Sequence, residues 1–183
     1  MPARRRSAQL GTLLATLLLA AGCGATEPEP LQAMKPEVTA DLCATVPAAV
    51  RAGLIGDSST DATGNPTAAC SLRSPDAAST QVQAVVTWLQ TTDEESADEV
   101  WDSQCRAIDR QQYREQSVRA GGADDACAAS GNIDGADSAT LAAVSGRQVV
   151  TVRLSAMPPG KAPVIARAQV MLEGVLSSVA GDS

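Results

Sequence analysis

Gln81-Val82-Gln83-Ala84-Val85-Val86-Thr87-Trp88-Leu89-Gln90 alternates along its length. Val82, Ala84, Val86 and Trp88 share one face, while Gln81, Gln83 and Thr87 point the other way. A period of two is the mark of a strand buried on one side. This stretch therefore predicts a sheet with one face on a core. The flanking residues must supply its other strands and the layer that covers it.

Downstream, Thr92-Asp93-Glu94-Glu95 has the capping-box pattern, with Thr92 as cap and Glu95 reaching back. It predicts a helix to about Gln112, with Ala97, Val100, Trp101, Cys105 and Ile108 on one apolar stripe. Residues 114–137 read as an irregular stretch rich in Gly, Ala and Asp. Ala139–Val144 and Gln148–Ser155 read as a hairpin turned at Ser145-Gly146-Arg147, with Val150, Val152 and Leu154 alternating against Thr151 and Arg153. Pro158-Pro159-Gly160 breaks the chain. Pro163 then opens a last helix to about Val179, with Val164, Ala168, Met171, Leu172, Val175 and Val179 as its apolar face. Upstream, a short helix around Pro47–Ala52 is ended by Gly53 and Gly56. A polar loop follows at 57–67, then a strand at Ala68–Ser74, and Ser74-Pro75-Asp76 is a turn signal. The expected fold is α+β: an antiparallel sheet of about four strands with helices on one face, in the order α-β-β-α-β-β-α.

The chain has no Phe, one Tyr and two Trp. A core of Ala, Val and Leu is thinly supplied with buried area, and cross-links would help hold it. Apart from Cys23 there are four cysteines: Cys43, Cys70, Cys105 and Cys127. In an oxidising compartment an even count predicts two disulfides. Of the three pairings, the sequential one, Cys43–Cys70 and Cys105–Cys127, is favoured. Loops of that length are worth roughly 3–4 kcal/mol each by the chain-entropy argument. A four-thiolate zinc site would usually show a C-x-x-C pair, and none occurs.

The compartment is read from the first residues. Arg4, Arg5 and Arg6 precede an apolar stretch from about Leu10 to Ala21, too short to span a bilayer. Leu19-Ala20-Ala21-Gly22-Cys23 resembles the lipobox of bacterial lipoproteins. That resemblance implies a signal peptide over 1–22, lipid attachment through the Cys23 sulfur (acyl chains such as palmitate), and a protein held on the extracytoplasmic side of the cell membrane. Two acyl chains give stable anchoring where one does not. Residues 24–40, with their prolines and charges, read as a flexible tether from Cys23. The single extracytoplasmic domain is then 41–180. The export route, general secretory or twin-arginine, stays open.

Charge and composition narrow the function classes. The chain carries 14 basic and 21 acidic residues. Without Arg4, Arg5 and Arg6 its net charge is −10. Nucleic acid is an unsuitable partner for such a chain. It contains no His, so Ser-His-Asp and Cys-His catalysis and His-based metal sites have no residues to use. Neither G-x-S-x-G nor S-x-x-K occurs. No catalytic, cofactor or metal residue is assigned.

Three other patterns are explained structurally. Asn132–Asp137 is no EF-hand loop: with Gly135 at position 6, Ser130 falls at 1 and Leu141 at 12. A looser calcium site with Asp124 and Asp125 stays open. Acidic residues 93–95, 98, 99 and 102 favour the start of a helix through its dipole. Trp88 and Trp101 lie on apolar faces and read as core.

Asp41-Leu42-Cys43, the short helix ending Gly53-Leu54-Ile55-Gly56, and Ala69-Cys70-Ser71 resemble a group of actinobacterial cell-envelope lipoproteins of unknown function. These share a lipobox, a D-x-C start and a second Cys on the first strand. The layout is also similar to the extracellular sensor domains of mycobacterial receptor kinases. The family often has Trp two residues after the second Cys, where this chain has Leu72. The resemblance implies a surface-anchored domain and no catalytic residues. The expected function is a lipid-anchored binding or interaction domain and not an enzyme. The alternative is a small-ligand sensor or carrier with a pocket between sheet and helices.

Overall fold

The alternating stretch at 81–90 becomes the third strand of an antiparallel sheet in a computed structural model that describes residues 41–61, 66–109, 114–116, 118–160 and 162–179. All of them belong to one compact unit, Leu31–Ser183. Cys23, the signal segment and the tether lie outside the described residues, as does the predicted helix end at 110–113.

The elements run α1 (Leu42–Thr45), α2 (Ala48–Arg51), β1 (Ile55–Asp61), β2 (Thr67–Arg73), β3 (Gln81–Gln90), α3 (Glu94–Asp109), β4 (Arg114–Gln116), β5 (Asp125–Ile133), β6 (Ala136–Ser145), β7 (Gln148–Met157) and α4 (Val164–Val179). The sheet order is β1-β2-β3-β7-β6-β5-β4, and every adjacent pair is antiparallel. Six strands of seven to ten residues and a three-residue edge strand replace the four expected. The α+β class and the antiparallel sheet stand; the strand number and order are corrected.

The additional strands have physical reasons. β1 reads IGDSSTD and is exposed at nearly every position, because it is an edge strand with no buried face to impose an apolar period. β5 turns Ala128 and Ala129 to opposite faces and carries no large apolar residue before Ile133. It is joined to β6 by Asp134-Gly135, with φ of 50° and 80°, between the paired Ile133 and Ala136. Two positive φ values in a two-residue loop make a type I′ hairpin, for which Asp-Gly is a strong signal. The next hairpin turns on Gly146-Arg147, with Gly146 at φ 51°.

Helices on one face is the second correction. α1, α2 and α4 pack on one side of the sheet, with Leu42, Val46, Val50, Val164, Ala168, Met171, Leu172, Val175 and Val179 against Cys70, Leu72, Val86, Trp88, Leu141, Val150 and Val152. α3 packs on the other side, where Ala97 meets Val144 and Val149, and Ile108 meets Ala129 and Ala142. β6 is the reason. Its residues from Ala139 to Val144 are all buried, the run expected of a strand covered on both faces.

On the α4 face, close approach is built into the sequence. Gly174 sits where any Cβ would fall on Pro47 Cδ and Cγ, so its lack of a side chain lets α4 lie against the α1–α2 junction. Arg167 Nη2 donates to Val50 O at 2.7 Å and closes the end of α2. Pro47 is the N-cap residue of α2. Asp41 caps α1: Ala44 N donates to its Oδ1 at 3.3 Å, and Ser58 Oγ donates to the same atom at 2.6 Å. Cys43 N in turn donates to Ser58 Oγ at 3.1 Å. The D-x-C start is thus a cap and a cross-link that fasten α1 to β1 and β2.

Both disulfides form in the sequential pairing, Cys43–Cys70 and Cys105–Cys127, over separations of 27 and 22 residues. Each holds a helix to a different face of the sheet: the first ties α1 to β2, the second α3 to β5. Among the described residues no helix is long and apolar enough to cross a membrane.

Candidate functional site

The residues singled out from the sequence do not converge. Trp88 is fully buried on the α4 face, where its Nε1 donates to Gln148 Oε1 at 3.3 Å. Gln148 Nε2 donates to Val179 O at 3.3 Å, so one amide joins the indole to the end of α4. Trp101 is on α3, across the sheet, and packs near Cys127 and Ala142. The two indoles are separated by the sheet.

The acidic group at the start of α3 is largely exposed, and two of its six members, Asp93 and Asp102, are engaged locally. The capping residue is Asp93 and not Thr92: Ser96 N donates to Asp93 Oδ1 at 2.7 Å, and Thr92 Oγ1 to Asp93 Oδ2 at 2.8 Å. The Ser96 N–H, then the Thr92 and Ser96 hydroxyls, hold the Asp93 carboxyl below the ordinary aspartate range. Asp102 pairs with Arg106 at 2.5 Å. Asp124 Oδ2 accepts from Gly146 N at 2.7 Å, Asp125 Oδ1 from Ala126 N at 2.8 Å, and Asp137 Oδ2 from Gly160 N at 2.5 Å. These carboxylates fasten turns and strand ends.

The core between the sheet and α4 is filled by twelve large side chains that are fully buried, among them Leu42, Leu72, Leu141, Met171 and Leu172. Space for a ligand lies on the opposite face. There α3 covers the β5–β7 part of the sheet, and among the described residues nothing covers β1–β3. Strand register places Ser59, Ala69, Thr87 and Thr151 in one row across four strands. These are small side chains, so the floor is low beside the helix. Val100 and Gln104 of α3 form the wall. With Thr67, Leu89, Val149 and Asp61 they enclose a groove of about 350 Å³, within the size range of small-molecule sites. The next row holds Asp57, Ser71, Val85, Arg153 and Thr140. A second depression of about 270 Å³ lies over Gln83, Val85, Ser138, Thr140, Arg153 and Ser155. Of the four large apolar residues that remain exposed, Ile55, Val85 and Met157 face this open side, and Val170 is on α4.

Buried polar groups single out the same place. Among the described residues, five polar side chains are buried: Ser74, Gln90, Thr91, Thr140 and Thr151. Ser74 Oγ accepts from Val82 N at 3.0 Å, Thr91 Oγ1 lies 2.7 Å from Asp93 O, and Gln90 has a partner. Thr140 and Thr151, only 3% and 8% exposed, have no side-chain hydrogen bond among the described residues. Neither hydroxyl is wholly occluded, since the one fully occluded unpartnered polar atom is Trp101 Nε1. Each oxygen is therefore within reach of a water or a ligand atom, and offers a hydrogen bond to that face. Both are turned to the face that α3 leaves half open.

A larger depression, about 580 Å³, lies beside the first disulfide and is lined by Asp41, Arg51, Asp57 and Ser58. Asp41 and Ser58 are already bonded to each other and to the α1 backbone. That place is committed to holding α1.

Thr87, Thr151 and Arg153 were visible in the sequence as the polar side of two alternating strands. What made them a site was the position of α3, which alternation does not reveal. Thr140 sits in an otherwise apolar run, and a hydroxyl in such a run was its only signal. A scan against protein-family models finds no family that matches this chain, and a search of curated proteins finds no relative.

Proposed function

We propose that this chain is a lipid-anchored binding domain on the extracytoplasmic side of a bacterial cell membrane. Its binding surface is the half-open sheet face beside α3. The anchor reading is supported by the basic start, the short apolar stretch and the Leu19–Cys23 lipobox. The two disulfides suit an oxidising compartment. The likeness to envelope lipoproteins at Asp41-Leu42-Cys43 and Ala69-Cys70-Ser71 points the same way.

The observation that carries the binding reading is the pair Thr140 and Thr151, largely buried residues whose hydroxyls stay reachable from the open face and have no partner among the described residues. Hydroxyls that the fold leaves unused and within reach can donate to or accept from a bound ligand. Of the two kinds of partner expected, this favours a small ligand over a protein. The groove lies between sheet and helix, as a small-ligand carrier or sensor would need, and on the α3 side.

Native mass spectrometry of the protein purified from its own host without refolding tests the reading. The expected result is a fraction of molecules with a discrete added mass, lost on collisional activation. The mature chain with its Cys23 anchor, less four hydrogens and with no further mass in any preparation, would contradict the small-ligand reading and leave a protein partner as the alternative.

A further inference from the structure

We infer that the groove and the adjoining depression over Arg153 together take an amphiphile with a single anionic head, a long-chain carboxylate, lying with its apolar chain in the groove against Leu89, Val149 and Val100 and its carboxylate on Arg153 in the depression beside it. This rests on the binding reading above and names the ligand class.

The inference comes from the charges around the groove. Arg153 is exposed on the open face of β7, with Val85 opposite it on β3 and Thr140 opposite it on β6. Its neighbours along β7 on that face are Thr151 and Ser155, and its diagonal neighbours are Gln83, Thr87, Ser138 and Ala142. None of these eight side chains is charged. Arg153 has no ion pair or hydrogen bond among the described residues, in a chain whose net charge is −7. The two unpartnered buried threonines flank it, one across the strand and one two residues along. A guanidinium with hydroxyl donors on two sides matches a carboxylate, which accepts several hydrogen bonds at once.

The groove itself, which reaches Thr151 but not Arg153, is mostly apolar at its far end. Leu89 and Val149 are directly paired across β3 and β7, and Val100 of α3 stands over them. Val149 is four residues from Arg153, about 14 Å along an antiparallel strand. The acid that lines the groove, Asp61, is at this far end, in the row of Thr67 and Leu89. The cation beside the groove therefore draws the anionic head to the Arg153 side, which fixes the ligand's direction.

The test uses the chain from residue 23 onward with Cys23→Ser, which contains every described residue and prevents an attached acyl chain from occupying the groove. Decanoate and decanol, both below micelle-forming concentrations, are titrated and followed by backbone amide NMR. Decanoate is expected to shift the amides of Thr87, Thr151 and Arg153 and to bind at least tenfold tighter than decanol. Arg153→Gln, at an exposed position, should remove that preference without weakening decanol. Ala69→Trp, which raises the groove floor, should weaken both. Equal binding of the two probes, unchanged by Arg153→Gln, would overturn the anionic-head inference and leave the groove a binding site. No shift with either probe would overturn both.

Discussion

The two faces of this sheet are built differently. The α4 face buries all twelve of the large, fully buried side chains and leaves no buried polar group there without a partner among the described residues. The α3 face is held by Ala97, Val144 and Val149 at one end of the helix and Ile108, Ala129 and Ala142 at the other, with a disulfide between helix and β5. At roughly 1.5–3 kcal/mol per buried large side chain, the first face has far more to hold it. A chain this poor in aromatics spends its large residues on one side. The other side, floored by Ala, Ser and Thr, is free to be a surface.

The comparison breaks most easily at the core. Leu172→Ala on the α4 face should cost roughly 2–5 kcal/mol, whereas Val100→Ala on the groove wall should cost under about 1 kcal/mol. Denaturant unfolding of the two variants under oxidising conditions compares them directly. Equal losses would mean that the α3 face is as structural as the other.

Replacing Cys105 and Cys127 together with Ala removes a bridge over a separation of 22 residues, worth about 3 kcal/mol by chain entropy. Local opening should follow, since α3 has few other large contacts. Hydrogen exchange should quicken in α3 and leave the amides of α4 protected. Uniform quickening would show that the two faces unfold as one.

A smaller effect sharpens the picture at the start of α3. The Asp93 carboxyl is held below its ordinary value by the Ser96 N–H and the nearby hydroxyls. Its folded pKa lies below its unfolded one. The stabilisation is therefore present above the unfolded value and lost as pH falls through the folded one. Asp93→Ala should fray α3 at neutral pH and match the wild type in stronger acid, as followed by amide exchange of Ser96 and Ala97. A difference that persists at acid pH would place the effect elsewhere.

How far the sequence could be read follows the same division. β3, β7 and α4 carry period-two or helical apolar patterns because they face the dense core, and their bounds came within a few residues. The six predicted apolar positions of α4 are all buried, with Leu176 added. The sequential cysteine pairing was legible from count and spacing. β1 and β5 were not legible as strands, because edge position and Ala-rich packing leave no apolar period. Asp134-Gly135 is a hairpin signal, but it lies inside a run of acids and glycine, Asn132–Asp137, that also resembles a calcium loop. The site was legible only in parts: Thr151 and Arg153 showed as an outward-facing pattern, while the half-covering by α3 depends on tertiary packing.

The central claim is that the hydroxyls of Thr140 and Thr151 serve a ligand and not the fold. The double variant Thr140→Val, Thr151→Val tests it most directly, by denaturant midpoint and by decanoate titration of the same preparation. The account predicts stability unchanged within about 1 kcal/mol, because neither hydroxyl bonds to the fold among the described residues, together with weakened decanoate binding. A variant that loses more than about 1 kcal/mol of stability while binding decanoate as the wild type does would contradict it.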